Sequence, residues 1–81
     1  MKLIIDAIYK YTDIETIETI DKVSDVKVTL DGLYFSTPST IPNYRRSHFT
    51  PLDEIISVSL LDEWDNLLYK FENLHRGNPH E

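Results

Sequence analysis

The chain contains no cysteine in 81 residues. That excludes a disulfide framework and any thiolate metal site, and it makes the reducing cytoplasm the expected compartment. Glycine is nearly absent as well, with Gly32 and Gly77 the only two. A phosphate cradle needs a glycine-rich loop leading into a helix, and a hydrolase nucleophile elbow needs glycines on both sides of its serine. The chain has neither. No run of 18 apolar residues occurs, so no helical membrane span is expected. The apolar start MKLIIDAIYK is interrupted by Asp6 and Lys10, and no small-residue cleavage site follows, so it reads as a strand rather than a leader. Basic residues are few: eight Lys and Arg against fourteen Asp and Glu, a net charge of -6. Phosphate-backbone binding needs a net basic face, so direct nucleic-acid binding is not expected. A protein partner remains open.

What is present suits a small folded domain. Hydrophobic residues make up 41% of the chain, above the level of a disordered segment. The length allows one core, expected over residues 1–75, with the polar end 76–81 as a flexible tail. A core this small leaves a thin stability margin, which a partner or a second copy would widen.

The patterning is mainly that of strands. Leu3, Ile5, Ala7, Tyr9 and Tyr11 alternate with Lys2, Ile4, Asp6, Ile8 and Lys10. The run from Glu15 to Ile20 has two competing readings. Isoleucines at 14, 17 and 20 suit a short helix, while its Thr and Ile content favours a strand, the reading adopted. Val26, Val28 and Leu30 alternate with Lys27 and Thr29 before Asp31-Gly32, which predicts a β-hairpin closed by a two-residue type I′ turn. Residues 36–51, rich in Pro, Ser and Thr, read as a long connection holding at most one short strand near Tyr44–Phe49. Thr50, Pro51 and Asp53 suggest the N-cap, first position and third position of a helical turn. Ile56, Val58 and Leu60 then alternate with serines. For the last segment, a hairpin through the turn-forming run Asp62–Asn66 into a strand at Leu67–Phe71 competes with a helix carrying Leu60, Trp64, Leu67, Leu68, Phe71 and Leu74 on one stripe. The hairpin is adopted. The expected fold is a small antiparallel barrel or sandwich of five to six strands, with one C-terminal helix, and hence an α+β class, as the alternative. Its expected core is Leu3, Ile5, Val26, Val28, Phe35, Ile56, Val58 and Phe71.

No catalytic constellation stands out. Ser47 and His48 are neighbours whose side chains diverge on a strand. His75 and His80 are spaced across Gly77 and Pro79, which suits no helical metal site. No cofactor, metal ion or enzymatic activity is expected. Two surfaces draw attention instead. The first is IPNYRRSHFTP, which gathers two of the eight basic residues with aromatics in an acidic chain. Tyr44, Arg45, Arg46, His48 and Phe49 are side-chain types enriched at binding hot spots, so they form one candidate partner-binding set. The alternative is that the arginines pair internally, with Asp53, Glu54 or the acidic strand. The second surface is the acidic stretch containing Glu15, Glu18 and Asp21, a possible array against a basic partner.

In size and acidity the chain resembles the short accessory proteins of bacteria and their phages, a likeness of composition that no residue motif carries. The resulting expectation is a non-catalytic module that binds a protein partner as an inhibitor or adaptor. The alternatives are a structural subunit of a homo-oligomer and an acidic mimic of nucleic acid that inhibits a DNA- or RNA-binding protein.

Overall fold

Period-two patterning dominates the molecule as it does the sequence. The computed structural model describes residues 1–73 and contains seven strands: β1 (Lys2–Ile8), β2 (Glu15–Asp21), β3 (Ser24–Val28), β4 (Gly32–Pro38), β5 (Arg45–Pro51), β6 (Ile55–Leu61) and β7 (Leu67–Glu72). One 3-10 turn, Leu52–Glu54, joins β5 to β6. The chain is mainly β, and every strand pairing among the described residues is antiparallel. The count exceeds the expected five to six because both doubtful segments, Glu15–Asp21 and Arg45–Pro51, are full strands of seven residues. Residues 67–72 form a strand where a C-terminal helix was the alternative. Among the described residues, no helix is long and apolar enough to cross a membrane. The expected tail, 76–81, lies outside the described residues, as do His75 and His80.

The strands make two sheets, ordered β2-β1-β6-β7 and β3-β4-β5. They enclose one core without closing into a barrel. Leu3, Ile5 and Ala7 of β1 and Ile55 and Val58 of β6 face Leu33 and Phe35 of β4, with Val23 from the β2–β3 link. Val26, Val28 and Phe71, expected in the core, pack against its margin, half-buried. Ile56 is a correction. Ala7 pairs with Ile55 and Asp6 with Ser57, so a bulge inserts Ile56 as an extra residue. The bulge shifts the facing set, and Ile55 takes the core position while Ile56 stays half-buried.

The β3–β4 hairpin forms, but not through a type I′ turn. That turn requires positive φ at both central residues, and Asp31 does not adopt it. The link instead runs through Thr29, Leu30 and Asp31, with the Thr29 amide donating to the Gly32 carbonyl at 2.9 Å. Gly32 opens β4 with φ +154, and a Cβ there would collide with the Thr50 carbonyl oxygen. Glycine is required because the β5 backbone passes directly over it.

The turn at 50–54 is also shifted by one residue from expectation. Thr50 is buried within β5, and Pro51 stands at the cap with no side-chain cap bond. Glu54 is buried at its end and accepts a 2.8 Å hydrogen bond from the Lys10 amide, which ties the β1–β2 loop to the β5–β6 corner. The Lys10–Asp53 ion pair lies beside it at 2.6 Å.

Candidate functional site

The basic-aromatic stretch is an edge strand, not a loop. β4 runs on to Pro38 and β5 begins at Arg45, so only residues 39–44 form the connection. Asn43 takes positive φ there, and the Tyr44 amide donates to the Ile41 carbonyl at 3.2 Å. β5 pairs with β4 along one side and lies at the margin of its sheet. Strand alternation then divides the five expected contact residues. Arg46 and His48 lie opposite Thr37 and Phe35, on the face that carries the core. Arg45 and Phe49 lie opposite Pro38 and Tyr34, on the outer face.

The two arginines differ in their surroundings. Arg45 folds back over its own sheet. Its Nε donates to Ser36 Oγ at 3.0 Å, and its Nη2 donates to the carbonyls of Lys22 at 3.0 Å and Ser36 at 3.1 Å. Ser36 is buried, and its single hydroxyl proton has two acceptors within reach, Asp25 Oδ2 at 3.1 Å and the Ser24 carbonyl at 3.2 Å. This network closes the place where the β3–β4 register shifts between Ser24 and Lys27, and where Lys22 and Asp25 both adopt positive φ. A planar guanidinium can bridge a hydroxyl and two carbonyls at once. Arg45 therefore has internal partners, though not the carboxylates weighed from the sequence. Arg46 is exposed, and its side chain has no hydrogen bond or ion pair among the described residues.

The aromatics are also distributed. Phe49 stacks against Tyr34 on the outer face, with ring centroids 4.8 Å apart and planes tilted by 47°. Both rings remain exposed, and Lys27 of β3 continues the same row. Tyr44, 68% exposed, projects from the turn that enters β5. His48 is half-buried, stacks on Phe35 at 4.8 Å and shares a 2.8 Å hydrogen bond with the Thr37 hydroxyl. That hydroxyl–imidazole pair resembles half of a nucleophilic triad. No carboxylate among the described residues orients the other ring nitrogen, as hydroxyl activation requires. The side chains available to another molecule are thus Arg46 on the core-side face of β5, Phe49 on its outer face beside Tyr34 of β4, and Tyr44 at the strand's entry. Sequence reasoning missed Tyr34, whose place beside Phe49 depends on the β4–β5 register.

The acidic residues do not share one face. On β2, Glu15 and Asp21 lie on the outer side and Glu18 on the core side, opposite Ile5. Glu18 accepts a 3.0 Å hydrogen bond from the Tyr9 hydroxyl. Burial, and then that bond to a carboxylate, push the Tyr9 pKa up to about 12. Glu15 stands beside Asp6 of β1. A hydrogen bond to Asp6, which needs a proton on one of the two carboxyls, and then the like charge, raise the Glu15 pKa above its ordinary value. Asp6 Oδ1 is buried and has no hydrogen-bond partner.

A second exposed surface lies at the β6–β7 hairpin. Asp62 Oδ1 accepts the amides of Trp64 at 2.8 Å and Asn66 at 2.9 Å, an Asx-type closure that lets Asp65 take positive φ. These bonds, the Asn66 amide first, hold the Asp62 pKa below the usual carboxylate range. The turn presents Trp64, 79% exposed, and continues into Leu67, Leu68 and Tyr69, all exposed on β7. The only sequence signal for this surface was that LLYKFE places apolar residues on both faces of its strand.

Among the described residues, no cluster of three or more His, Asp or Glu side chains could hold a metal ion. No protein family, curated protein or solved structure matches this chain.

Proposed function

We propose that this protein is a non-catalytic binding module that acts by occupying the surface of a protein partner, as an inhibitor or adaptor does. The observation that carries the reading is the margin of β5. Arg46, whose side chain has no partner among the described residues, is exposed on one face of that strand, Phe49 is exposed on the other beside Tyr34 of β4, and Tyr44 is exposed at the strand's entry, in a chain of net charge -6. Aromatics and arginine bind by burial and by charge-assisted hydrogen bonds, and little conformational freedom is lost when they already sit on a strand. An edge strand also offers unpaired backbone groups to an extended segment that extends the sheet. The partner that fits is an extended protein segment whose alternate side chains present carboxylates to Arg46 on one face of the sheet and apolar groups to Phe49 and Tyr34 on the other.

The test is affinity capture from a lysate of the cells that make the protein, run in parallel with wild type, Arg46→Glu and Phe49→Ala. The reading expects one protein retained by wild type and lost from both variants. If every retained protein binds all three baits equally, the β5 margin is not the contact surface.

A further inference from the structure

Sheet β2-β1-β6-β7 ends in a strand whose outer edge is unpaired among the described residues. Among the described residues β7 pairs with β6 alone. Native edge strands are usually short, bulged, charged or proline-bearing, because an open apolar edge recruits another strand. β7 has one irregularity, between Leu60 and Leu61 on the partner side, which makes Leu68 an extra residue. From Tyr69 to Glu72 it is regular, contains no proline, and is preceded by exposed Leu67, Leu68 and Trp64.

We propose that β7 is a dimerisation edge that pairs antiparallel with β7 of a second copy, joining the two four-stranded sheets into one of eight strands. The charges point to a second copy as the occupant. Antiparallel pairing about a two-fold axis normal to the sheet places residues i and j opposite one another wherever i + j is a fixed even number. Centring the axis on Lys70 sets Lys70 against Lys70. Centring it on Tyr69 sets Lys70 against Leu68. Centring it on Phe71 sets Lys70 against Glu72 of the other copy, twice, once on each side of the axis. In that last register the two Phe71 rings meet on the core side and each Tyr69 lies opposite an Asn73. Within one chain Lys70 and Glu72 already share the outer face, 3.2 Å apart and about half exposed. The strand is therefore complementary to itself when centred on Phe71 and mismatched when centred on Lys70 or Tyr69. Opposite charges directly across strands stabilise pairing and like charges destabilise it.

A contact of this size is small, so the dimer is weak and is sought by sedimentation up to millimolar protein. Wild type should dimerise. Lys70→Glu alone and Glu72→Lys alone should each raise the dimer dissociation constant at least tenfold, an order-of-magnitude figure, because every cross-strand pair becomes like-charged. Mixing the two variants should restore dimerisation as a heterodimer, since one strand then carries two acids and the other two bases. The mixture separates contact between copies from the ion pair within a chain, which mixing leaves unchanged. Circular dichroism verifies that each variant keeps its β spectrum. The proposal is overturned if wild type stays monomeric throughout, if the single changes leave dimerisation unaltered, or if the folded variants fail to associate when mixed. Neither substitution touches β5, so these outcomes are independent of the capture experiment.

Discussion

Replacing Arg45 with alanine removes three hydrogen bonds at once, to Ser36 Oγ and to the carbonyls of Lys22 and Ser36. A bond from a charged donor contributes about 1.5–3 kcal/mol net when buried. Arg45 is largely exposed, and the Ser36 hydroxyl keeps Asp25 and Ser24 as acceptors, so the loss is well below three such bonds. A figure of about 2 kcal/mol for the whole set follows. A domain of this length has a stability of roughly 4–12 kcal/mol, so that is a substantial share. With a urea slope of about 1 kcal/mol per molar, the unfolding midpoint should drop by about 2 M. Arg46→Ala, which removes no internal bond, should stay within about 0.5 kcal/mol of wild type. Arg45→Lys should recover less than half of the loss, because an ammonium cannot span the same three acceptors. Equal urea midpoints for Arg45→Ala and Arg46→Ala would refute the division between a structural and an available arginine.

Gly32→Ala should cost about 3 kcal/mol or more, since it combines a backbone conformation open almost only to glycine with a collision against the Thr50 carbonyl; an unchanged melting temperature would refute this. Val58→Ala should cost about 2–3 kcal/mol, because Val58 is fully buried, while Ile56→Ala at the bulge should cost less despite removing more atoms. Denaturant titration of the two variants decides the order. Glu15→Gln should raise the melting temperature at pH 7. The Glu15 pKa is raised in the fold, so its contribution is fully present below the unfolded value and is lost as pH rises through the folded one. At pH 7 the charged form is disfavoured beside Asp6, and removing the charge relieves that. Below the unfolded value the gain should vanish, and a gain equal at both pH values would contradict the Asp6–Glu15 account.

The strands were legible wherever local pattern decides structure. Alternation in β1, the Thr and Ile content of β2 and the turn chemistry of Asp62–Asn66 identified three of the less obvious elements from neighbouring residues alone. The misses have a common physical origin in contacts between distant parts of the chain. The bulge that exchanges Ile55 for Ile56 is set by pairing with β1, about fifty residues away in sequence. Gly32 opens its strand because β5 passes over it, whereas the local signal of Asp-Gly pointed to a tight turn. Arg45 binds a carbonyl 23 residues earlier in the chain, and no charge pattern announces a backbone acceptor. The candidate site was legible in its residue types but not in its geometry. Composition singled out residues 44–49, but only the β4–β5 register shows that Arg46 and His48 diverge from Arg45 and Phe49 and that Tyr34 joins them.

The central claim is that the margin of β5 is where a partner docks. Hydrogen–deuterium exchange of this protein, alone and saturated with the partner identified by capture, tests it most directly. The account predicts slowed amide exchange across residues 45–51 in the complex, because an added strand pairs the outward-facing amides, with β2 little changed. Slowed exchange on β2 or elsewhere, with residues 45–51 exchanging at the same rate free and bound, would contradict it.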